Sequence, residues 1–285
     1  MPRLDLLLEA LSALTGCRVE ATEKESQLNP QDIVNIAALK QFYKREGLHE
    51  LEYPSLGALS LRDEDEEQDM YSSPGAIQES PPGAETRPLV KINPDTFFDS
   101  RFNYDFTNIK DGEKTFSRGE ESYVRPCGWS RVALQVLGRY EDGDAWLDAG
   151  PAAWPVSYHG NRMDGALGIT ATPRPAGEGP AKKEGEGPAS LGVPGGPVAG
   201  PTHGRGVYSS PSVSVAESHC VRFRSHGDGK MYKVALQNRI NPLHRKECQR
   251  KGYWLVLIPQ EYSPTQTRAA VQDALRPYGM LLKEE

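Results

Sequence analysis

Long apolar runs are missing from this chain. Its leucine-rich opening is interrupted by Asp5 and Glu9, so it lacks the uninterrupted stretch of about 7–15 apolar residues that a secretory signal needs. Nowhere does it approach the ~20 consecutive apolar residues of a membrane-spanning helix. Cysteine is sparse too. Cys17, Cys127, Cys220 and Cys248 lie far apart and form no Cys-x-x-Cys pair, which argues against the disulfide framework of a small secreted domain and predicts reduced thiols. His244 and Cys248 have helical spacing, but two ligands do not make a zinc site, and no metal is expected. Nor is positive charge in excess. With 33 Lys and Arg against 39 Asp and Glu, the net charge is −6, which argues against wholesale binding to nucleic acid or to an anionic membrane. Together these absences predict a soluble intracellular protein, cytoplasmic or nuclear.

Glycine and proline are plentiful, at 28 and 23 of 285 residues, while hydrophobic residues reach only 37%. A sizeable part of the chain is therefore expected to be loop or disordered. The acidic run Asp63-Glu64-Asp65-Glu66-Glu67 and the Ser, Pro and Gly after it mark residues 61–88 as a linker, with too little apolar surface to offset the entropy of ordering. Residues 171–204 are a second low-complexity stretch, rich in Pro, Gly and Ala. These boundaries predict a helical N-terminal region over 1–60 and a second domain over 89–285 that carries the 171–204 insertion.

Within the first region, Leu4, Leu7, Leu8, Leu11 and Leu14 recur at helical spacing, predicting an amphipathic helix over 3–15. Asn29-Pro30 with Asp32 signals a second helix, with Ile33, Ile36, Leu39 and Phe42 on its apolar face to about Lys44. In the second region Phe97, Phe98, Phe102, Tyr104 and Phe106 crowd a short polar stretch and read as anchors of an irregular segment. Alternation at Val132, Leu134 and Val136 predicts a strand, and Asp142-Gly143-Asp144 a turn. Further strands are expected at Trp154–Tyr158, Gly206–Ser209, Met231–Gln237, Tyr253–Ile258 and Tyr278–Lys283, with helices over Val213–Cys220 and Thr267–Leu275. The total is about six strands and few helices, an α+β or mostly β domain. Arg222, Arg224, His226, Lys230 and Lys233 surround Phe223 and Tyr232. Such a patch could touch phosphates of RNA or of a dinucleotide, or could be a solvated hairpin.

Two glycine-flanked strand signals frame the insertion. Before it stands Ser157-Tyr158-His159-Gly160; after it stands Gly204-Arg205-Gly206-Val207-Tyr208-Ser209-Ser210. With the helix Ser212–Cys220 and the closing Tyr253-Trp254-Leu255-Val256 and Tyr278-Gly279-Met280-Leu281-Leu282-Lys283, this order of blocks resembles the catalytic domain of the poly(ADP-ribose) polymerase family, in the diphtheria-toxin-like group of ADP-ribosyltransferases. The resemblance covers roughly residues 120–285. It implies a mostly antiparallel, split-sheet α+β domain that binds NAD+ as a substrate. It gives His159 a hydroxyl of the adenine-side ribose, Gly160 the nicotinamide carboxamide through its backbone, and Tyr208 the face of the nicotinamide ring. Gly206 opens the second strand, and His219 falls where the family has a second stacking tyrosine.

The sequence departs from the family at defined places. The glutamate of polymerising members is replaced by Gly252, the carboxamide-binding serine falls on Ala216 unless Ser214 or Ser218 is shifted into its place, and the stacking tyrosine is His219. Chain elongation is therefore not expected. The resemblance implies an NAD+-dependent mono-ADP-ribosyltransferase, with His159 and Tyr208 as the residues that carry the reaction and one ADP-ribose passing to a protein or other acceptor. The alternative is a catalytically inactive module of the same fold that recruits partners. An unrelated β-rich scaffold would instead place His159 and Tyr208 on separate surfaces.

Overall fold

A computed structural model of the protein describes residues 2–45, 87–161, 163, 173–174, 206–248 and 252–285. The expected linker, apart from residues 87–88, and nearly all of the 171–204 insertion lie outside the described residues.

Helix α1 (Leu4–Thr15) buries Leu7, Leu11 and Leu14 on one face and ends at Gly16, whose left-handed backbone lets its N–H reach the Ser12 carbonyl. Strand β1 (Arg18–Ala21) follows, then helix α2 (Pro30–Arg45). Asn29 and Asp32 cap α2 reciprocally, each side chain accepting from the other's backbone N–H at 3.2 and 2.9 Å. Strand β2 (Leu89–Ile92) pairs in parallel with β1. After it come a four-residue helix α3 (Pro94–Phe97) and a single 3₁₀ turn at Ser100–Phe102. Strands β3 (Tyr104–Asp105), β4 (Phe116–Arg118), β5 (Glu121–Tyr123) and β6 (Ser130–Ala133) are short. Strand β7 (Val156–His159) and the two-residue β8 (Pro173–Arg174) precede β9 (Gly206–Ser209). Helix α4 (Val213–Glu217), strands β10 (Val221–Arg224), β11 (Met231–Ile240), β12 (Arg245–Cys248) and β13 (Trp254–Leu257), helix α5 (Pro264–Ala274) and strand β14 (Leu275–Glu284) complete the order.

The architecture is α+β, and among the described residues every strand pairing except β1–β2 is antiparallel. One sheet runs β10-β11-β14-β6-β3, with β7 also on β11; a second runs β8-β12-β13-β9. Strand β11 organises the first sheet. Its first half pairs with β10 and its second half with β7, while β14 covers its other edge along the whole length. That pairing explains why β14 is ten residues long rather than the short strand expected over Tyr278–Lys283.

The N-terminal helices share the core of these sheets. Leu7, Leu11, Ile33 and Val34 lie in one buried cluster with Val132, Val207, Val234, Val256, Val271 and Leu282. Gln31, on α2, donates to the Leu275 carbonyl at 3.0 Å and accepts from the Tyr140 hydroxyl at 2.9 Å, tying this helix to the start of β14. Of the expected aromatic anchors, Phe97 and Phe106 are buried. Phe102 and Tyr104 are not, at 50% and 45% exposed; Tyr104 pairs with Arg131 at the β6 edge of the first sheet, its ring 4.4 Å from that of Phe106, and the Arg101 guanidinium lies over Phe102.

Candidate functional site

Strands β7 and β9 belong to different sheets, and the site lies where the sheets meet. Strand β7 is held by β11, with Leu236 opposite His159, and β9 is held by β13, with Leu255 opposite Tyr208. One bridge joins them: Tyr158 donates to Ser210 at 2.7 Å and Ser210 donates back at 2.9 Å. Past that bridge a side chain continues the link. The His159 Nδ1 lies 2.6 Å from the Tyr208 carbonyl oxygen. A carbonyl only accepts, so Nδ1 carries a proton and donates to it. Residues separated by 49 positions thereby meet at one point, and both side chains are buried, His159 at 1% and Tyr208 at 2% exposure.

Gly160 packs on the C-terminal turn of α4. A Cβ on Gly160 would lie 2.5 Å from the Ala216 carbonyl oxygen and 2.9 Å from that of His219. Only glycine lets β7 approach that backbone. Gly206 is constrained in the same way: a Cβ there would meet the Val256 carbonyl oxygen at 2.1 Å. Both glycines of the expected site are thus required by protein packing itself. Gly160 is also engaged by a residue the motif reading did not single out. Its carbonyl accepts from the Met163 N–H at 2.8 Å, and its own N–H points at the Met163 Sδ at 3.3 Å.

His219 sits beside Tyr253, its Nε2 3.0 Å from the phenol oxygen and the two rings edge to face at 5.9 Å between centroids. The Tyr208 ring belongs to a buried cluster with Tyr158, Met163, Ala216, Tyr253 and Leu255. Burial pushes the Tyr208 phenol up to about 12, so it is neutral at physiological pH and offers an aromatic face and a hydroxyl, not a phenolate. His159, Gly160, Tyr208 and His219 are therefore brought together at the junction of the two sheets, whereas Gly206 packs on Val256 of β13 at the other end of β9. Sequence reasoning missed Tyr253 and Met163 as site residues. Tyr253 was legible as the first aromatic after Gly252, whereas nothing local marks Met163.

Helix α4 supplies no serine to this locus. Ser214 is exposed and hydrogen-bonds Ser212 at 2.8 Å, Ser218 is exposed and donates to the Val215 carbonyl at 2.7 Å, and buried Ala216 takes the inward position. Gly252 has φ +85°, and the nearest atom to a Cβ there is Val215 Cγ2 at 4.0 Å. A glutamate at this position would have room but a strained backbone. The position of α4 is set by Glu217, which accepts from Lys233 at 3.1 Å and Lys283 at 2.8 Å. Burial pushes the Glu217 carboxyl up, but the hydrogen bonds from these lysines outweigh it and leave the group below the usual carboxylate range.

The basic patch forms the β10–β11 hairpin, with Phe223 and Tyr232 stacked at 6.0 Å. Most of its basic side chains face a carboxylate, while Arg224 donates to the Gly229 carbonyl. Arg222 pairs with Glu285, Lys230 with Glu284, Lys233 with Glu217 and Glu285, and His226 lies beside Glu9. The hairpin thus carries several ion pairs on its surface. None of the four cysteines is in a disulfide, and burial pushes the thiols of Cys220 and Cys248 up to about 12 and about 11. Among the described residues no group of three or more His, Cys, Asp and Glu side chains could hold a metal ion, and no helix is long and apolar enough to cross a membrane.

No known protein family, no curated protein and no solved structure matches this chain.

Proposed function

We propose that this protein binds NAD+ across the ends of β7 and β9 and transfers a single ADP-ribose to a protein side chain or another acceptor. The supporting observation is the hydrogen bond from His159 to the Tyr208 carbonyl, which brings together residues far apart in sequence at the seam between the sheets. In this reading Nε2 of His159 accepts from a ribose hydroxyl, and the nicotinamide end lies toward Tyr208, with His219 and Tyr253 beside it. The glycosidic bond to nicotinamide breaks and its electron pair leaves with the ring. The acceptor heteroatom bonds to the anomeric carbon from the opposite face, and its proton passes to solvent. With Gly252 in place of a carboxylate, acceleration comes from positioning of the two reactants. The residues fit NAD+ in part: an imidazole, a glycine backbone and aromatic rings are present, while the inward serine is not.

Thermal-shift titration of the full chain tests the reading. At 100 times Kd, NAD+ stabilises by about 2.7 kcal/mol, and His159→Ala removes the gain. Release of nicotinamide, followed by chromatography, then separates transfer from binding. Bound NAD+ with no nicotinamide released, even in a sensitive assay, overturns the transferase reading.

A second reading is a catalytically inactive module of the same type. Ala216 at the inward position of α4 favours it, as does the engagement of both backbone polar groups of Gly160 by Met163. Absence of any shift at millimolar NAD+ is the result it expects.

A further inference from the structure

We propose that Met163 is the resident occupant of the seat in which a carboxamide would be held, so that NAD+ binds only when Met163 leaves Gly160. This rests on the reading of the β7–β9 junction as an NAD+ site.

A carboxamide offers one acceptor oxygen and an N–H donor on the same planar group, and a glycine backbone can satisfy both at once. Met163 makes the same two-point contact from one residue. Its N–H donates to the Gly160 carbonyl at 2.8 Å, and its Sδ faces the Gly160 N–H at 3.3 Å. The side chain is 0% exposed and lies in the same cluster as Tyr208, Ala216 and Tyr253, the residues that would surround a nicotinamide ring. A thioether is a weak acceptor, so replacing it with a carboxamide oxygen strengthens that hydrogen bond. What opposes the exchange is the apolar burial that Met163 gives up. Methionine is unbranched and adaptable, able to fill such a gap and, by rotation about its own bonds, to lift Sδ off the Gly160 N–H; the backbone N–H leaves the Gly160 carbonyl only as the chain at Met163 shifts with it. If the competent state is the fraction of molecules with Met163 displaced, apparent affinity falls by that fraction. Full burial of a methionine side chain corresponds to a factor of roughly ten to a hundred.

The experiment is calorimetric titration of the full-length protein with NAD+ and, separately, with nicotinamide. Wild type is compared with Met163→Ala, which vacates the space, and Met163→Leu, which refills it. Met163→Ala is expected to bind NAD+ at least about tenfold tighter, while Met163→Leu stays within about threefold of wild type. Met163→Ala that is folded and binds no more tightly overturns the proposal. Should Met163→Ala not fold, the wild-type protein decides. With ¹³C-methyl methionine, the resonance assigned by its loss in Met163→Leu moves toward a solvent-exposed position as NAD+ saturates. A resonance that stays put while NAD+ binds overturns this proposal alone. If neither wild type nor Met163→Ala binds millimolar NAD+, the reading of the junction as an NAD+ site fails and takes this proposal with it.

Discussion

Replacing Gly160 with alanine asks whether the end of β7 is held by packing rather than by backbone conformation. The added Cβ would lie 2.5 Å from the Ala216 carbonyl oxygen, 2.8 Å from the His219 carbonyl carbon and 2.9 Å from the His219 carbonyl oxygen. All of these are backbone atoms, so no rotamer change relieves the overlap. Strand β7 and the α4 turn must separate by roughly 0.5–1 Å to reach ordinary contact, and overpacking of this kind costs about 1–3 kcal/mol. Helix α4 cannot retreat freely, because Glu217 is tied to Lys233 and Lys283 on the sheet. The reduced freedom of the unfolded alanine chain returns about 0.4–1 kcal/mol, leaving a net loss centred on about 1.3 kcal/mol and at most about 2.6 kcal/mol. At about 2–4 °C per kcal/mol for a chain of this size, differential scanning calorimetry should record a fall in Tm of about 2–8 °C. Gly150→Ala is the control: nothing lies within 4 Å of its Cβ, and its effect should stay within about 0.5 kcal/mol. Equal melting temperatures for the two variants would refute the packing argument.

Glu217→Gln removes the carboxylate shared by Lys233 and Lys283. A folded-state pKa below the unfolded one gives stability that is present above the unfolded value and lost as pH falls through the folded one. The variant should therefore be less stable by about 1 kcal/mol at pH 7, with the difference shrinking as pH falls below the ordinary carboxylate range; a difference independent of pH in urea titrations contradicts this. Burial raises the thiols of Cys220 and Cys248 to about 12 and about 11, so iodoacetamide at pH 8 should modify neither until the protein unfolds. The same raised values stabilise the fold fully below about pH 9 and are lost as pH climbs toward 12; rapid native-state labelling of Cys220 disproves the burial argument. Gly252→Glu should cost about 1 kcal/mol for a side chain at φ +85°. If the transferase reading is right, it should also raise nicotinamide release at least about tenfold, and an unchanged rate counts against that reading.

Much of the local structure was legible in the sequence because its causes are local. Leucines at helical spacing and Gly16 define α1, and the Asn29–Asp32 cap starts α2. Glycine and Pro211 bracket β9, which forms over Gly206–Ser209 as its composition predicts. The apolar run ending at Ile258 forms β13, and Ser263 with Gln266 caps α5 a few residues before the helical pattern becomes visible.

Periodicity carries no information about neighbours remote in the chain, and those were decided by the tertiary structure. The length of β14 comes from continuous pairing with β11, which no run within residues 275–284 announces. The N-terminal helices join the core of the sheets because their apolar faces find Val207, Val256 and Leu282. The acidic partners of the basic hairpin come from residues 9, 217, 284 and 285, most of them remote in the chain. At the candidate site, the sequence alone determined which residue types stand on β7, β9 and α4. Only the fold decided that His159 reaches the Tyr208 carbonyl, that Gly160 must be glycine to clear α4, and that Met163 settles on its amide. Each of those contacts depends on how two sheets meet in space, a relation that no single segment encodes.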